Sequence, residues 1–498
     1  MSSGVRLPIG WSLASLMDVT AEIASVDPRA KPDRTITYFD IGSIDSALGV
    51  VKTPKLVKGG DAPSRARQPV EEGDVLFSTV RPYLRAVAQV PRSTMNGVAS
   101  TGFCVLRGEG GVSSNYLFHL ARSEAFIKAL EPFQRGTSYP AVRDGDVLSQ
   151  PLPLAPSAEQ RRIVDKLEEL LSDLDAGVAE LRAAQAKLKL YRQSLLKAAV
   201  TGELTAEWRK RQRLEVVAPS ESTAVALPAV MPDVDSVLRT IPDDWVWTCA
   251  AQLCGFITKG TTPPKELKDA DNSGVPFIRV TNLTSDGSLD LSEKVFVTEA
   301  IHRGFLKRSI VYPGDVLMNI VGPPLGQVSV VPGSFDEWNV NQAVAIFRPS
   351  ERITVSFLSV YLLSSLAQQW LQRRAKTTAG QTNLTLELCR RLPVPVPSLS
   401  EQHAISAILA EQLDGLAMQE QAVRISLRQS AAQRKNILRA AFSGQLVPQD
   451  PNDEPAGVLL ERIRASREGN NLKAARRPRS RPNETDAGRH VPARRARS

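Results

Sequence analysis

Cysteine, histidine and aromatic side chains are scarce: four cysteines, four histidines and 5% Phe, Trp and Tyr in 498 residues. Cys104, Cys249, Cys254 and Cys389 are scattered through segments that read as buried, and none forms a Cys-x-x-Cys pair. Free core thiols are expected, which leaves no disulfide framework and no zinc site. His119, His302, His403 and His490 are as dispersed, with no second ligand at metal spacing. No uncharged apolar segment is long enough to span a bilayer, and Met1 to Trp11 has no basic stretch leading into an apolar run. A cytoplasmic protein without a membrane partner is expected. Also missing are a Gly-x-x-x-x-Gly-Lys-Ser/Thr phosphate loop, a strand followed by Gly-x-Gly-x-x-Gly, and an Asn/Asp-Pro-Pro-Tyr/Phe tetrapeptide. These absences argue against a nucleotide-driven motor or an adenine methyltransferase. One nuclease-like pattern occurs, Pro242-Asp243 followed by Glu266-Leu267-Lys268. A nuclease needs such carboxylates to converge on a cation, and here Glu266 lies in a Pro/Lys-rich loop. A non-catalytic chain with no cofactor is expected.

Positive charge is abundant but unevenly placed. The formal net charge is +9, and residues 471–498 hold nine Lys or Arg against Glu484 and Asp486, a net of +7. The remainder therefore carries only +2. A basic tail sticks to any polyanion without reading sequence, and residues 448–498 are expected to be such a disordered tail. With 42% hydrophobic and 23% charged residues the rest reads as globular, and its length implies two to three domains.

What the chain does contain is a long-range duplication. Leu7-Pro8-Ile9-Gly10-Trp11 recurs as Ile241-Pro242-Asp243-Asp244-Trp245, and Gly73-Asp74-Val75-Leu76 as Gly314-Asp315-Val316-Leu317. Pro151-Leu152-Pro153-Leu154 with Glu159-Gln160 matches Pro393-Val394-Pro395-Val396 with Glu401-Gln402. Thr201-Gly202-Glu203-Leu204 answers Ser443-Gly444-Gln445-Leu446. The copies are separated by 234 residues at Trp11 and Trp245, 241 at Asp74 and Asp315, and 242 at both Glu159/Glu401 and Gly202/Gly444. Loops tolerate insertion and a continuous helix does not, so each copy is a variable globular domain followed by a rod of fixed length.

In the first rod Leu167, Leu174, Leu181, Leu188 and Leu195 recur every seventh residue, with Val164, Leu171 and Val178 as a companion row. This is a coiled-coil seam. Ser157-Ala158-Glu159-Gln160 reads as a capping box, and Gly202 as a left-handed cap. The second rod keeps Leu409, Leu413, Leu416, Val423, Leu427 and Ile437 on the same rows. Roughly forty helical residues make a rod of about 60 Å. A single seam cannot stay in water, so the rods should pair. Polar breaks at Gln185, Arg192, Glu420, Ser430 and Arg434 favour one antiparallel intramolecular pair over a uniform homodimeric zipper. Residues 205–240, with Pro219, Pro228, Pro232 and a basic head, read as a linker.

The globular parts, 1–156 and 241–397, mix short apolar runs with Gly, Pro and Asp punctuation. Residues 75–80, 98–106, 316–321 and 340–347 read as strands, and 115–130 and 355–370 as helices, giving a mixed α/β (α+β) fold. Polar and cationic residues gather in loops beside these strands. In the first domain they are Arg81, Tyr83 and Arg85, then Arg135, Gly136, Thr137 and Ser138. In the second they are Asn319, then Lys376, Gly380, Gln381, Thr382 and Asn383. Arg, Asn, Gln and Thr can satisfy base edges and phosphates, and Gly lets backbone N–H groups approach a phosphate.

The twofold order of domain, Pro-x-Pro-x exit, Glu-Gln-opened helix and Thr/Ser-Gly-x-Leu close resembles the specificity subunits of type I restriction-modification systems. The likeness runs to about Val447. It implies two target-recognition domains, 1–156 and 241–397, each reading half of a bipartite asymmetric site in double-stranded DNA. Spacer helices at 157–204 and 398–447 would set the gap. It further implies assembly with methyltransferase subunits and motor-nuclease subunits. Departures are Tyr139 where the second domain has Asn383, and the basic tail. A stand-alone bipartite DNA binder and a coiled-coil scaffold for protein partners are the alternatives.

Overall fold

The structure, a computed structural model, describes residues 7–215, 241–263, 268–269, 274–284, 286–378 and 381–475. Residues 216–240 of the linker, Glu266, Leu267, Gly380 and the 476–498 part of the tail lie outside the described residues. The helices outside the globular domains are α1 (Ser157–Val200), α2 (Ala206–Glu215), α3 (Leu399–Phe442) and α4 (Ala456–Ala475). The long helices α1 and α3 each span 44 residues, as the constant offset demands.

The chain divides into two compact units, 1–179 with 427–498, and 180–426. These units do not coincide with the sequence repeats, because each holds the early half of one long helix and the late half of the other. In the first unit β1 (Ser12–Ser15), β2 (Val75–Ser78), β3 (Phe103–Leu106) and β4 (Pro151–Leu154) carry the repeated motifs. β1 pairs antiparallel with β4, Ser12 facing Leu154 and Ser15 facing Pro151. β2 is the middle of a three-stranded sheet, and a separate four-stranded sheet, containing Thr35–Phe39 and Gly97–Ser100, draws its strands from either side of β2 in the chain.

The second unit repeats the plan. Here β5 (Val246–Cys249), β7 (Val316–Asn319), β8 (Val344–Pro349) and β9 (Pro393–Val396) are the corresponding strands. A further strand, β6 (Cys254–Lys259), pairs with β8 and is additional, the first unit having, among the described residues, only a Thr20–Gly108 bridge at that place. β5 pairs with β9, Val246 facing Val396 and Cys249 facing Pro393, and β7 pairs with β8. The mixed α/β fold class read from the sequence is therefore present in both units.

The repeated motifs prove to be joints between elements. Gly73 and Gly314 take φ of +82° and +89°, which a residue with a β-carbon resists. The aspartate after each is buried, accepts an N–H bond from Glu71 or Tyr312, and is clamped by Arg107 at 2.6 Å or Arg348 at 2.7 Å. Each Glu-Gln pair ties helix to domain. Trp11 Nε1 donates to Glu159 and Trp245 Nε1 to Glu401, both at 2.9 Å. Gln160 accepts the backbone N–H of Ser113, the cap of the 114–122 helix, while Gln402 accepts that of Thr354, the cap of the 355–363 helix.

Helix pairing is seen within each unit. In the first, Leu167 and Leu171 share a core with Leu438 and Ala441, and Arg434 pairs with Asp175. In the second, Leu195 shares a core with Leu409, Leu413 packs against it, and Arg192 meets Glu420 at 3.0 Å. The polar breaks Arg192, Glu420 and Arg434 are thus cross-helix ion pairs, consistent with an antiparallel pair. Leu174, Leu181, Leu188, Val423, Leu427 and Ile437 are half-buried, as a two-helix seam leaves them, and Leu416 is buried.

Several expectations need correction. Ser157 and Gln160 do not form the expected capping box, because the Gln160 amide donates to the Ala155 carbonyl and accepts the Ser113 N–H, while Glu159 is turned to the Trp11 indole. The stretch 98–106 is two strands parted by a turn at Thr101-Gly102, and 340–347 likewise breaks into Trp338–Val340 and β8. Both long domain helices split at a serine, Ser123 and Ser364, whose hydroxyl caps the second piece. The linker expected from 205 begins as helix α2. The tail expected from 448 instead starts with an ordered segment and α4, which buries Leu459, Leu460 and Ile463 in the first unit. Arg467 of α4 bonds Glu109 and the carbonyls of Met17 and Thr20. An apolar row at Leu459, Leu460 and Ile463 was the sequence signal, and the arginines around it obscured it.

Candidate nucleic-acid interface

The same construction carries the candidate loops in both domains: the end of the Gly-Asp-Val-Leu strand meets the hairpin that precedes the exit helix. In the first domain Val80 bridges Ala141, and Ala141 exchanges two backbone bonds of 2.9 Å with Arg135. In the second Val321 faces Asn383 and Gly322 faces Thr382, while Lys376–Thr378 and Gln381–Asn383 form the hairpin. Loops that are far apart in sequence are thereby joined within each unit.

In the first domain Arg81 and Arg85 flank a short turn, both left-handed at φ 50° and 51°. Arg81 lies with its guanidinium 4.3 Å from the Tyr139 ring centroid and bonds the Ser138 carbonyl. Its backbone N–H donates to Pro140 O at 2.7 Å, and its buried side-chain Nε has no partner. Tyr83, Thr137 and Ser138 are exposed, and Gly136 sits at φ 92°. Arg135 is neutralised by Asp146 at 2.6 Å and is therefore a weaker phosphate ligand than its sequence suggests. Tyr139, 69% exposed and stacked on Arg81, joins the same surface.

Arg122 was not singled out in the sequence, and no local motif marks it. It is a half-buried cation whose guanidinium donates, among the described residues, to the carbonyls of Val87 and Ala47. Burial, reinforced by Arg434 and Arg85, pulls its pKa down to about 10, still charged at neutral pH. Burial and the same neighbouring charge push His119 to about 4, so it stays neutral. This cation, close enough to Arg85 for their charges to interact, adds to the positive potential of this loop, which Asp175 and Asp45 partly offset.

In the second domain Lys376 and Thr377 are exposed and Thr382 and Asn383 half-buried. Asn319 differs from its expected placement. It is 1% exposed, donates to Pro324 O and accepts from Val321 N–H, so it shapes the loop from inside. Gly380 is outside the described residues. Among the described residues no group of three His, Cys, Asp or Glu could hold a metal, and no helix is long and apolar enough to cross a membrane. The four cysteines are free.

Residues 242–422 match the family model described as the type I restriction modification DNA specificity domain. The EcoBI specificity subunit of Escherichia coli is 33% identical over 66% of this chain and 66% of its own length. The EcoKI specificity subunit of Escherichia coli strain K12 is 24% identical over 96% of this chain and all of its own length. A chain from a solved structure on complex assembly and conformational transition of the type I R-M system superposes with a TM-score of 0.69. It shares 28% identity, covering 88% of this chain and 99% of that one.

Proposed function

Since the chain belongs to the type I restriction-modification specificity subunits, we propose that it reads a bipartite, asymmetric DNA site with one recognition surface per domain. In this reading it directs separate methyltransferase and motor-nuclease subunits to that site and catalyses nothing itself. The observation that carries the proposal is the joining, in each domain, of the strand-end loop and the exit hairpin by backbone pairing, which gathers the exposed Tyr83, Thr137 and Ser138 in the first domain and places the exposed Lys376 and Thr377 beside the strand end in the second. Arg81, Arg85, Lys376 and Gln381 supply phosphate or base contacts, with Tyr83, Thr137, Ser138, Thr382 and Asn383 beside them. Different loop sequences on one scaffold suit two unlike half-sites. The long helices act as the spacer between the half-sites.

The test is an electrophoretic shift on a pool of duplexes, with and without the methyltransferase subunits. A selected two-part sequence is expected. Arg85→Ala should flatten the salt dependence, while loss of a base contact should cost about 1–3 kcal/mol and relax one position. Binding without sequence preference in the presence of the partners would defeat the proposal.

A further inference from the structure

The second domain has a cleft of about 550 Å³ lined by Phe256, Thr258, Arg303, Lys307, Arg308, Ile310, Tyr312 and Arg348, with no carboxylate in its wall. Arg348 is the rigid floor. Asp315 holds its edge at 2.7 Å, and its face lies 4.6 Å from the Tyr312 ring and 5.3 Å from the Phe256 ring. Both rings remain partly exposed, at 41% and 39%. Arg303 is engaged by Glu299 and Glu337. Lys307 and Arg308 are exposed and make no ion pair or side-chain hydrogen bond among the described residues. The cleft thus presents two uncompensated cations beside an aromatic-lined guanidinium, which is the chemistry of an anion site.

The first domain lacks this cleft's character although it shares the scaffold. Its Asp74–Arg107 clamp matches Asp315–Arg348, but Glu71 stands where the second domain has Tyr312, and Glu72 where it has Pro313. Glu71 also pairs with Arg107. Glu72 likewise pairs with Arg92, so this corner holds charge-compensated carboxylates where the second domain has Tyr312 and Pro313, and the feature belongs to one domain and not to the common design.

Position identifies the anion. β7 begins at Val316 beside the cleft and ends at Asn319, where the recognition hairpin attaches. Four strand residues span about 13 Å, close to four steps of a DNA strand at about 3.4 Å each. Resting on the DNA-binding reading above, we propose that Lys307, Arg308 and Tyr312 hold backbone phosphates of the duplex whose bases the second domain reads, a sequence-neutral anchor that the first domain lacks.

The experiment compares the full chain, alone and with methyltransferase subunits, as wild type, Lys307→Gln/Arg308→Gln and the single exposed substitution Arg308→Ala. Affinity for the selected duplex is measured across a salt series, with thermal melting as a fold check. Loss of two phosphate contacts should make the slope of log K against log salt shallower by about 1.8, and loss of one by about 0.9. The ratio of specific to non-specific affinity should change little. Unchanged affinity and slope in both variants overturns the anchor, as does lost assembly with the methyltransferase at an unchanged slope, which marks a protein-docking surface. If wild type binds no duplex selectively, it is the DNA-binding reading that fails, and the two failures are thus distinguishable.

Discussion

Gly202 closes directly on Pro242: a β-carbon on the glycine would stand 2.4 Å from Pro242 Cγ, and its φ is +78°. Gly444 repeats the arrangement against Pro8, at 2.3 Å and +70°. In each unit, therefore, the helix that ends on the domain's opening Pro belongs to the other sequence repeat, while the helix that its Trp holds belongs to its own. Gly202→Ala and Gly444→Ala should each cost roughly 2–4 kcal/mol, combining left-handed strain with overpacking. Urea unfolding of the two variants checks this. A loss under 0.5 kcal/mol at both sites, an order-of-magnitude bound for ordinary surface changes, contradicts the account.

Glu159 and Glu401 hold equivalent indoles but differ electrostatically. Glu401 also accepts from Thr205 at 2.6 Å and from Arg209. Glu159 Oε1 is buried without a partner, and burial raises its pKa above the usual carboxylate range. The folded state thus binds this proton more tightly than the unfolded chain. Its contribution is fully present below the unfolded pKa of about 4.3 and is lost as pH rises through the folded value. Glu159→Gln should therefore gain on wild type as pH rises from about 4 to 7, whereas Glu401→Gln, which strands Arg209, should lose about 1.5–3 kcal/mol at neutral pH. Parallel stability curves for wild type and Glu159→Gln between those pH values would falsify the first statement.

The C-terminal helix is a structural part of the first unit. Leu459→Ala removes a side chain that is 2% exposed in the main core and should cost about 2–4 kcal/mol. Deleting 476–498 should leave stability and target choice unchanged while weakening binding to all DNA alike or not at all. Differential scanning calorimetry and the same duplex selection separate these outcomes. A tail deletion that alters the preferred sequence contradicts the reading of that segment as an unspecific polycation.

The duplicated motifs were legible because each marks a joint: Trp with Glu, Gly with Pro, Asp with Arg. Such joints constrain sequence tightly, so they recur in both copies. The heptad leucines were equally plain, since period 3.5 survives in any register. What sequence could not show was which copy's helix closes which domain, because both copies present the same Thr/Ser-Gly-x-Leu ending. Asn319 misled for a related reason: a short polar side chain at a strand end serves a loop's own backbone as readily as a ligand. Arg122 and the Arg348 cleft were invisible because their character comes from neighbours distant in the chain.

The proposed spacer role of the helices makes the last prediction. Asp175 pairs with Arg434 in the first unit and Arg192 with Glu420 in the second, so a heptad added between these pairs leaves both intact. Seven residues inserted after Leu181, with seven more after Arg428, keep the seam in phase and add roughly 10 Å to each helix. DNA advances about 34 Å per turn of 10–10.5 base pairs, so the preferred gap between half-sites should widen by about three base pairs. Each half-site should be read as before, because the insertion touches no recognition loop. Selection from duplexes with graded gaps gives the answer, and a folded, lengthened protein that keeps the original gap would show that helix length does not set the spacing.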